Sequence, residues 1–290
     1  MKKAFSLIEL SIVILIIGIL IAGVAQSSRL IAAMRVQTAR QITQSSPVAS
    51  IKDLSLWLES SMKNSFPAAQ QEDGLSVTNW YDINPQSITK NNLSIGSASP
   101  HIKFKANAIN NIPALYFDGD TSTTDSLVGD VIVTNQNEYS IFLVLRLDEA
   151  DPNSSPFSRF AFVNGDPSSS GLSYAKWGDP GEAGKRIAPF SGTSWNQSSI
   201  ANSTNDPEII FITGDETTID IYINGIQETL VAPTGSYLPP SGNLVIGSAG
   251  GGALWHGPIA EVIMFDRKLE NEEWTSVKKY LAKKYNIKVS

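Results

Sequence analysis

The sequence predicts a long apolar N-terminal helix, then an all-β antiparallel sandwich covered by a C-terminal helix. Three observations carry that expectation. An uninterrupted apolar run opens the chain. Short apolar–polar alternations recur between turn signals through its middle, and a single stretch of helical periodicity closes it.

The opening reads MKKAFSLIELSIVILIIGILIAG. From Phe5 to Ala25 there are 21 residues, of which only Glu9 is charged. As a helix they span about 31 Å, the thickness of a bilayer core. Lys2 and Lys3 hold the short N-terminus in the cytoplasm and direct the rest outward. A secretory signal would have a shorter apolar core followed by a small-residue cleavage site. Here the run continues instead into an amphipathic pattern, Leu30, Ile31, Met34 and Ile42 with Arg29, Arg35 and Arg40 between. A retained helix over residues 5–45 is expected. Glu9 is either a boundary residue reaching the headgroups or half of an intermolecular ion pair, because an unpaired acid in lipid costs a few kcal/mol.

Composition narrows the chemistry. Of 290 residues none is cysteine, which excludes disulfides and thiolate metal sites. The only histidines are His101 and His256, too few for a histidine-based zinc site. Residues 1–45 hold five basic residues and one acid; the remainder holds 17 basic and 27 acidic residues. So acidic a head repels phosphate backbones, and no nucleic-acid partner is expected.

The stretch TQSSPVAS, residues 43–50, contains a Ser/Pro break, and 46–50 reads as a linker to a head over 51–290. Within the head, strands are expected at Leu54–Leu58, Val77–Tyr81, Ala114–Phe117, Tyr139–Leu147, Ile209–Thr213, Ile219–Ile223, Leu244–Ile246 and Ile259–Phe265. IDIYINGIQETL is a hairpin, its Asn224-Gly225 pair suited to a type I′ turn. In LENEEWTSVKKYLAKKYNIK, residues Trp274, Val277, Leu281 and Tyr285 share one helical face. Glu272 and Glu273 begin that helix and Lys283 and Lys284 end it, as the helix dipole favours.

Lys-Lys-Ala followed by Phe-Ser-Leu-Ile-Glu-Leu resembles the prepilin signal of type IV pilins and type II secretion pseudopilins. The resemblance covers about 25 residues. It implies a leader of residues 1–4, cleavage by a prepilin peptidase between Ala4 and Phe5, and methylation of the new Phe5 terminus. It also implies that Glu9 meets the N-terminal amine of a neighbouring subunit during filament assembly. Two departures stand out: Ala4 occupies a position where Gly is usual, and the helix-breaking proline of major pilins is absent. A second resemblance lies in the head. LSLWLESS, DGLSVTNWYDIN and NNIPALYFDGD look like the start, and HGPIAEVIMFDRKLENEEWTSVKKYLAKKY like the close, of a laminin-G or concanavalin A-like jelly roll over about 51–287. It implies a sandwich of a dozen or so strands that is often lectin-like.

Candidate sites in the head follow from residue type. A glycosidase needs two carboxylates flanking a sugar cleft, and the Glu-x-Asp-x-Glu strand of hydrolases with this fold is missing. Asp148-Glu149-Asp151 and Asp215-Glu216 read as solvated turn acids. Asp220-x-Tyr222-x-Asn224 has the spacing of a legume-lectin calcium triplet but lies in the hairpin. Asp118 and Asp120, flanking Gly119, could hold Ca2+ on a loop or simply make a tight turn. Trp177 and Trp195 lie in polar stretches and are expected as loop aromatics that stack on sugar, whereas Trp255 is expected half-buried.

Together these readings describe a non-enzymatic minor or modular pilin, inserted in the inner membrane and then displayed outside the cell, whose head adheres to a glycan or surface protein. Its other partners would be further pilin subunits and the prepilin peptidase. The rival readings are a purely structural filament subunit and a membrane-anchored glycan hydrolase acting through Asp148 or Asp151.

Overall fold

The computed structural model describes residues 7–96, 101–119, 126–133, 138–148, 159–166, 170–177, 186–191, 194–195, 197–198, 205–215, 217–231, 240–248 and 254–290. At 25, 26, 28, 29, 159, 170, 177, 186–191, 194, 195, 197, 198 and 231 only the backbone is described. Helix α1, Leu7–Gln44, runs unbroken for 38 residues. Its β-branched residues are poor helix formers in water, but a helix satisfies its own backbone where no water can. It ends just before Pro47, whose ring cannot continue it. Residues 46–50, expected as a linker, are folded: Pro47–Ser50 form a 3-10 helix with Val48 fully buried.

The strands follow in chain order as β1 (Leu54–Glu59), β2 (Asn79–Trp80), β3 (Leu93–Ile95), β4 (Lys103–Ile109), β5 (Ile112–Asp118), β6 (Leu127–Asp130) and β7 (Tyr139–Leu145). Next come β8 (Arg159–Asp166), β9 (Ser170–Trp177), β10 (Arg186–Ser191), β11 (Ser194–Trp195), β12 (Gln197–Ser198), β13 (Glu208–Gly214) and β14 (Ile219–Ile223). The last are β15 (Ile226–Gln227), β16 (Leu230–Val231), β17 (Asn243–Ile246) and β18 (His256–Phe265), followed by helix α2, Asn271–Tyr285. The first sheet has the order β15-β14-β13-β7-β18-β5-β4, and β1 flanks the C-terminal half of β18. The second has the order β11-β10-β9-β8-β17-β6-β3-β2. All pairings between these strands are antiparallel. Among the described residues the sandwich therefore holds sixteen strands in two sheets, beyond the dozen expected.

Alternation assigns the faces. Leu115, Phe117, Leu143, Leu145, Ile210 and Ile212 point inward between the sheets, where Trp80 and Trp255 are fully buried. Trp255 was expected to be half-exposed. The opposite face of the first sheet packs Phe142, Phe211, Ile263 and Phe265 under Val277, Leu281 and Tyr285 of α2. Trp274 stacks 5.2 Å from Phe211. The hairpin turns where expected, with φ of 50° at Asn224 and 85° at Gly225. Its carbonyl at Asn224 accepts from the Ser290 amide at 2.9 Å, and so holds the C-terminus.

Charged groups are buried at both layer joints. Lys284 lies at the end of α2, as the dipole favours, but its side chain is fully buried. Its Nζ is 2.5 Å from Glu59 Oε1 and 2.8 Å from Glu261 Oε2. Glu261 also accepts from Trp57 Nε1 and from the hydroxyls of Tyr280 and Tyr285 at 2.7–2.9 Å. Glu59 accepts from the amides of Ser61 and Met62, each at 2.8 Å. Burial, opposed by Lys284, pushes the Glu261 carboxyl up. Burial, then the carboxylate of Glu261, pushes up both tyrosine hydroxyls, which stay protonated as donors. Across the sandwich, Lys176 on β9 meets Glu208 on β13 at 2.6 Å, with side-chain exposures of 0% and 2%. Lys284→Met leaves two carboxylates buried with no cation and is expected to destabilise the head by about 3–5 kcal/mol. Adding Glu261→Gln to that variant should recover part of the loss. Urea unfolding midpoints of the three proteins measure both effects.

Candidate functional site

Two regions stand apart from the core. The first is the stem. Leu7–Val24 of α1 is long and apolar enough to cross a membrane, and none of it is buried against the head. The exposed apolar residues continue through Leu30, Ile31 and Met34. Only then does the helix enter the head. Ala39 and Thr43 are buried, Arg40 Nε donates to the Ser61 carbonyl at 2.7 Å, and the Thr43 hydroxyl lies 3.3 Å from that of Tyr280. The helix passes through Gly18 and Gly23 without a break, and a Cβ at either would meet nothing within 4 Å. Glu9 lies in the first described turn, where a negative charge suits the helix dipole.

The second region is a polar row on the outer face of the first sheet. Beyond the apolar half under α2, the outward positions of four adjacent strands become polar. Arg146, just past β7, holds Asp148 through Nε at 2.6 Å and Nη2 at 3.2 Å, while Nη1 donates to the Ala108 carbonyl. On β5, Tyr116 places its hydroxyl 3.1 Å from His256 Nε2 of β18, the two rings meeting edge to face. Burial, and next the charge of Asp148, pushes the Tyr116 hydroxyl up. Asp118 pairs in register with His256 and stands 3.8 Å from His101 Nδ1. Side-chain exposure is 43% at His101, 36% at Asp118, 28% at Arg146 and 23% at Asp148, so the row is open to solvent.

The structure thus brings Asp118 and Asp148 into one row with both histidines, a grouping that residues over 150 positions apart in sequence do not reveal. Among the described residues no three His, Cys, Asp or Glu side chains form a group able to hold a metal ion. Asp215 is a turn acid: burial raises its carboxyl, but bonds from the amides and hydroxyls of Thr217 and Thr218 hold it well below the carboxylate range. Asp220 accepts from Gln227, and Asn224 makes the hairpin turn. Trp177 and Trp195 do not lie on loops. Their backbones end β9 and form β11, because strand pairing through polar residues has no apolar signature. Their side chains lie outside the described residues, as do Ala4, Phe5, Asp120, Glu149, Asp151 and Glu216.

Residues 1–25 match the prokaryotic N-terminal methylation motif. The chain opens with a prepilin-type signal. Ala4, Phe5 and Glu9 all fall within it, and with the apolar stem it fits insertion in the inner membrane followed by passage into a filament. No curated protein matches the chain. Among solved structures, domain 4 of an extracellular arabinanase from Geobacillus stearothermophilus, in complex with arabinotriose, matches with TM-score 0.50 and 12% identity. That match covers 71% of this chain and 100% of that one. The receptor binding domain of botulinum neurotoxin D matches with TM-score 0.52 and 12% identity, over 78% of this chain and 52% of that one. Trypanosoma rangeli sialidase, in complex with the inhibitor DANA, matches with TM-score 0.50 and 13% identity, over 83% of this chain and 37% of that one. The chain therefore spans about half of the toxin domain and about a third of the sialidase. At these identities the likeness is one of fold: the prepilin stem carries a β-sandwich with the fold shared by these structures.

The end of α1 belongs to the head's packing. A fragment beginning at Arg35 keeps Ala39, Thr43 and Val48 in place, whereas one beginning at Ile51 uncovers their partners. The shorter fragment should be less stable by about 2–4 kcal/mol, which thermal unfolding of the two fragments in parallel would read.

Proposed function

We infer that this protein is a minor or modular subunit of a type IV filament whose sandwich head serves adhesion. The observation that carries the reading is the prepilin-marked stem, a membrane-length apolar helix whose Leu7–Val24 segment is not buried among the described residues, running on into a folded head. Exposed apolar area of that length is stable only in lipid or against other such helices. Insertion precedes assembly. The prepilin peptidase cuts between Ala4 and Phe5, Phe5 is methylated, and Glu9 neutralises the new amine of a neighbouring subunit. The pair removes two charges from an apolar filament core at once. Other pilin subunits are thus obligatory partners.

Adhesion to a glycan or surface protein is supported by the fold alone, since sandwiches of this kind also serve as the receptor-binding and sugar-bound domains named above. Trp177 of β9 and Trp195 of β11, both paired with β10 at one end of the second sheet, are the aromatic positions proposed to stack on a sugar. Asp118 with Asp120 is the loop proposed for Ca2+, if a cation takes part. Among the described residues no reacting pair of carboxylates supports hydrolysis: Asp148 is tied to Arg146, and Asp215 is spent on its turn.

Glu9→Val tests the assembly step. The variant should enter the membrane at least as well as the native chain yet be missing from sheared filaments. Native levels in the sheared fraction, read by immunoblot beside the membrane fraction, would remove the intermolecular pair from the account. Mass spectrometry of the sheared protein should find a methylated Phe5 at its start.

A further inference from the structure

We propose that the junction of stem and head docks on the anionic headgroups of the membrane that holds the stem. The proposal rests on insertion of the stem and is independent of what the head adheres to.

Charge along the chain argues for it. Residues 10–52 and 274–290 together hold nine basic residues and no acid, whereas residues 53–273 hold 11 basic and 27 acidic ones. The two acid-free segments are far apart in sequence but meet in the fold. The Thr43 hydroxyl of α1 lies 3.3 Å from that of Tyr280 on α2, and nearer the span Lys283 lines a groove with Arg35. The last turn of α2 therefore points down the stem toward the membrane span, with Glu272 and Glu273 at the far end of the helix. A head that is acidic elsewhere turns its basic end to the bilayer.

The groove suits a phospholipid surface. Ile31, Met34, Ile42 and Ile112 give it apolar walls, and exposed Arg35 and Lys283 supply cations. Among the described residues no acidic side chain lines it. Behind it Lys284 is matched to Glu59 and Glu261 inside the protein. Asn110, in the turn between β4 and β5, donates to the Tyr285 carbonyl at 2.8 Å, which fixes that turn and the end of α2 as one platform beside the stem. Lys279, one turn before Lys283, is exposed, and so is Lys63, which lines a second groove against another face of α1.

The distances agree. Leu7–Val24 fills the bilayer core, and Arg35 stands about 16 Å further along the helix axis. The headgroup layer takes about 5–7 Å of that. The remainder is close to one screening length, about 8 Å at physiological salt. The exposed apolar residues Leu30, Ile31 and Met34 draw the junction closer still. The stem of a second copy is a poorer occupant, because its own residues 10–52 are equally basic and cation would face cation.

The test is amide hydrogen exchange of the full-length chain, one per nanodisc, in discs of phosphatidylcholine alone or with one-third phosphatidylglycerol. Amides at 278–288 and 110–112 should exchange roughly fivefold more slowly, or slower still, in the anionic discs, the scale of one or more cations at such a surface. High salt should abolish the difference. Lys283→Glu and Arg35→Glu should each remove most of it while exchanging at the native rate in phosphatidylcholine, where an altered fold would show. Equal exchange of the native chain in both discs, or the full difference kept in both variants, overturns the proposal and leaves insertion standing. Slowing that follows the number of chains per disc, whatever the lipid charge, assigns the groove to a second copy and overturns it as well. A chain that enters neither disc overturns insertion and the proposal together.

Discussion

Lys284 joins the three parts of the molecule. Its ammonium lies between Glu59 of β1 and Glu261 of β18, and Tyr280, which bonds the same Glu261, faces Thr43 of α1. A charge in an apolar interior is tolerated only where every polar atom around it is satisfied. Here the two carboxylates receive bonds from the ammonium, two phenols, an indole and two backbone amides. That requirement fixes the register of β1 on β18, the seating of α2 and the point at which the stem enters. Lys176 and Glu208 form a second buried ion pair between the two sheets, where, among the described residues, Lys176 is without the surrounding hydrogen bonds that Lys284 has. Each joint between layers thus carries one buried lysine, in a chain that has no cysteine to cross-link them.

One consequence is mechanical. Because α1 ends inside the packing and the 3-10 helix at Pro47–Ser50 buries Val48, the stem and head are coupled without a flexible tether. The other consequence is a division of labour across a single sheet face. Where α2 covers it the outward residues are apolar around the buried Glu59 and Glu261 that meet Lys284; past the cover they are Arg, Asp, Tyr, His and Lys. One set of strands therefore seals the core at one end and offers hydrogen-bonding groups at the other.

The stem was legible because its signal is local. A run of 21 residues with one charge needs no tertiary information to be read as a helix of membrane length, and the ordered prepilin pattern is confined to it. Alternation likewise marked the central strands β7, β13, β14 and β18, whose inward residues are apolar but for Glu208 at the start of β13. The polar strands β9, β10 and β11 escaped, and so did the Asn110-Asn111 turn between β4 and β5, at φ of 48° and 65°. Pairing there depends on backbone hydrogen bonds, which need no particular side chain. Trp177 and Trp195 were consequently expected on loops.

Charge placement shows the limit most sharply. The sequence by itself determined that Lys284 would stand at a helix C-terminus, that Ile259–Phe265 would be a strand, and that Glu9 would be the one charge in an apolar stem. Only the tertiary structure decided that Lys284 and Glu261 meet in a dry interior, and that Asp118, Asp148, His101 and His256 share one open face. Secondary structure follows from periodicities of a few residues, whereas the partner of a charge is chosen by strand order, and strand order pairs positions more than a hundred residues apart.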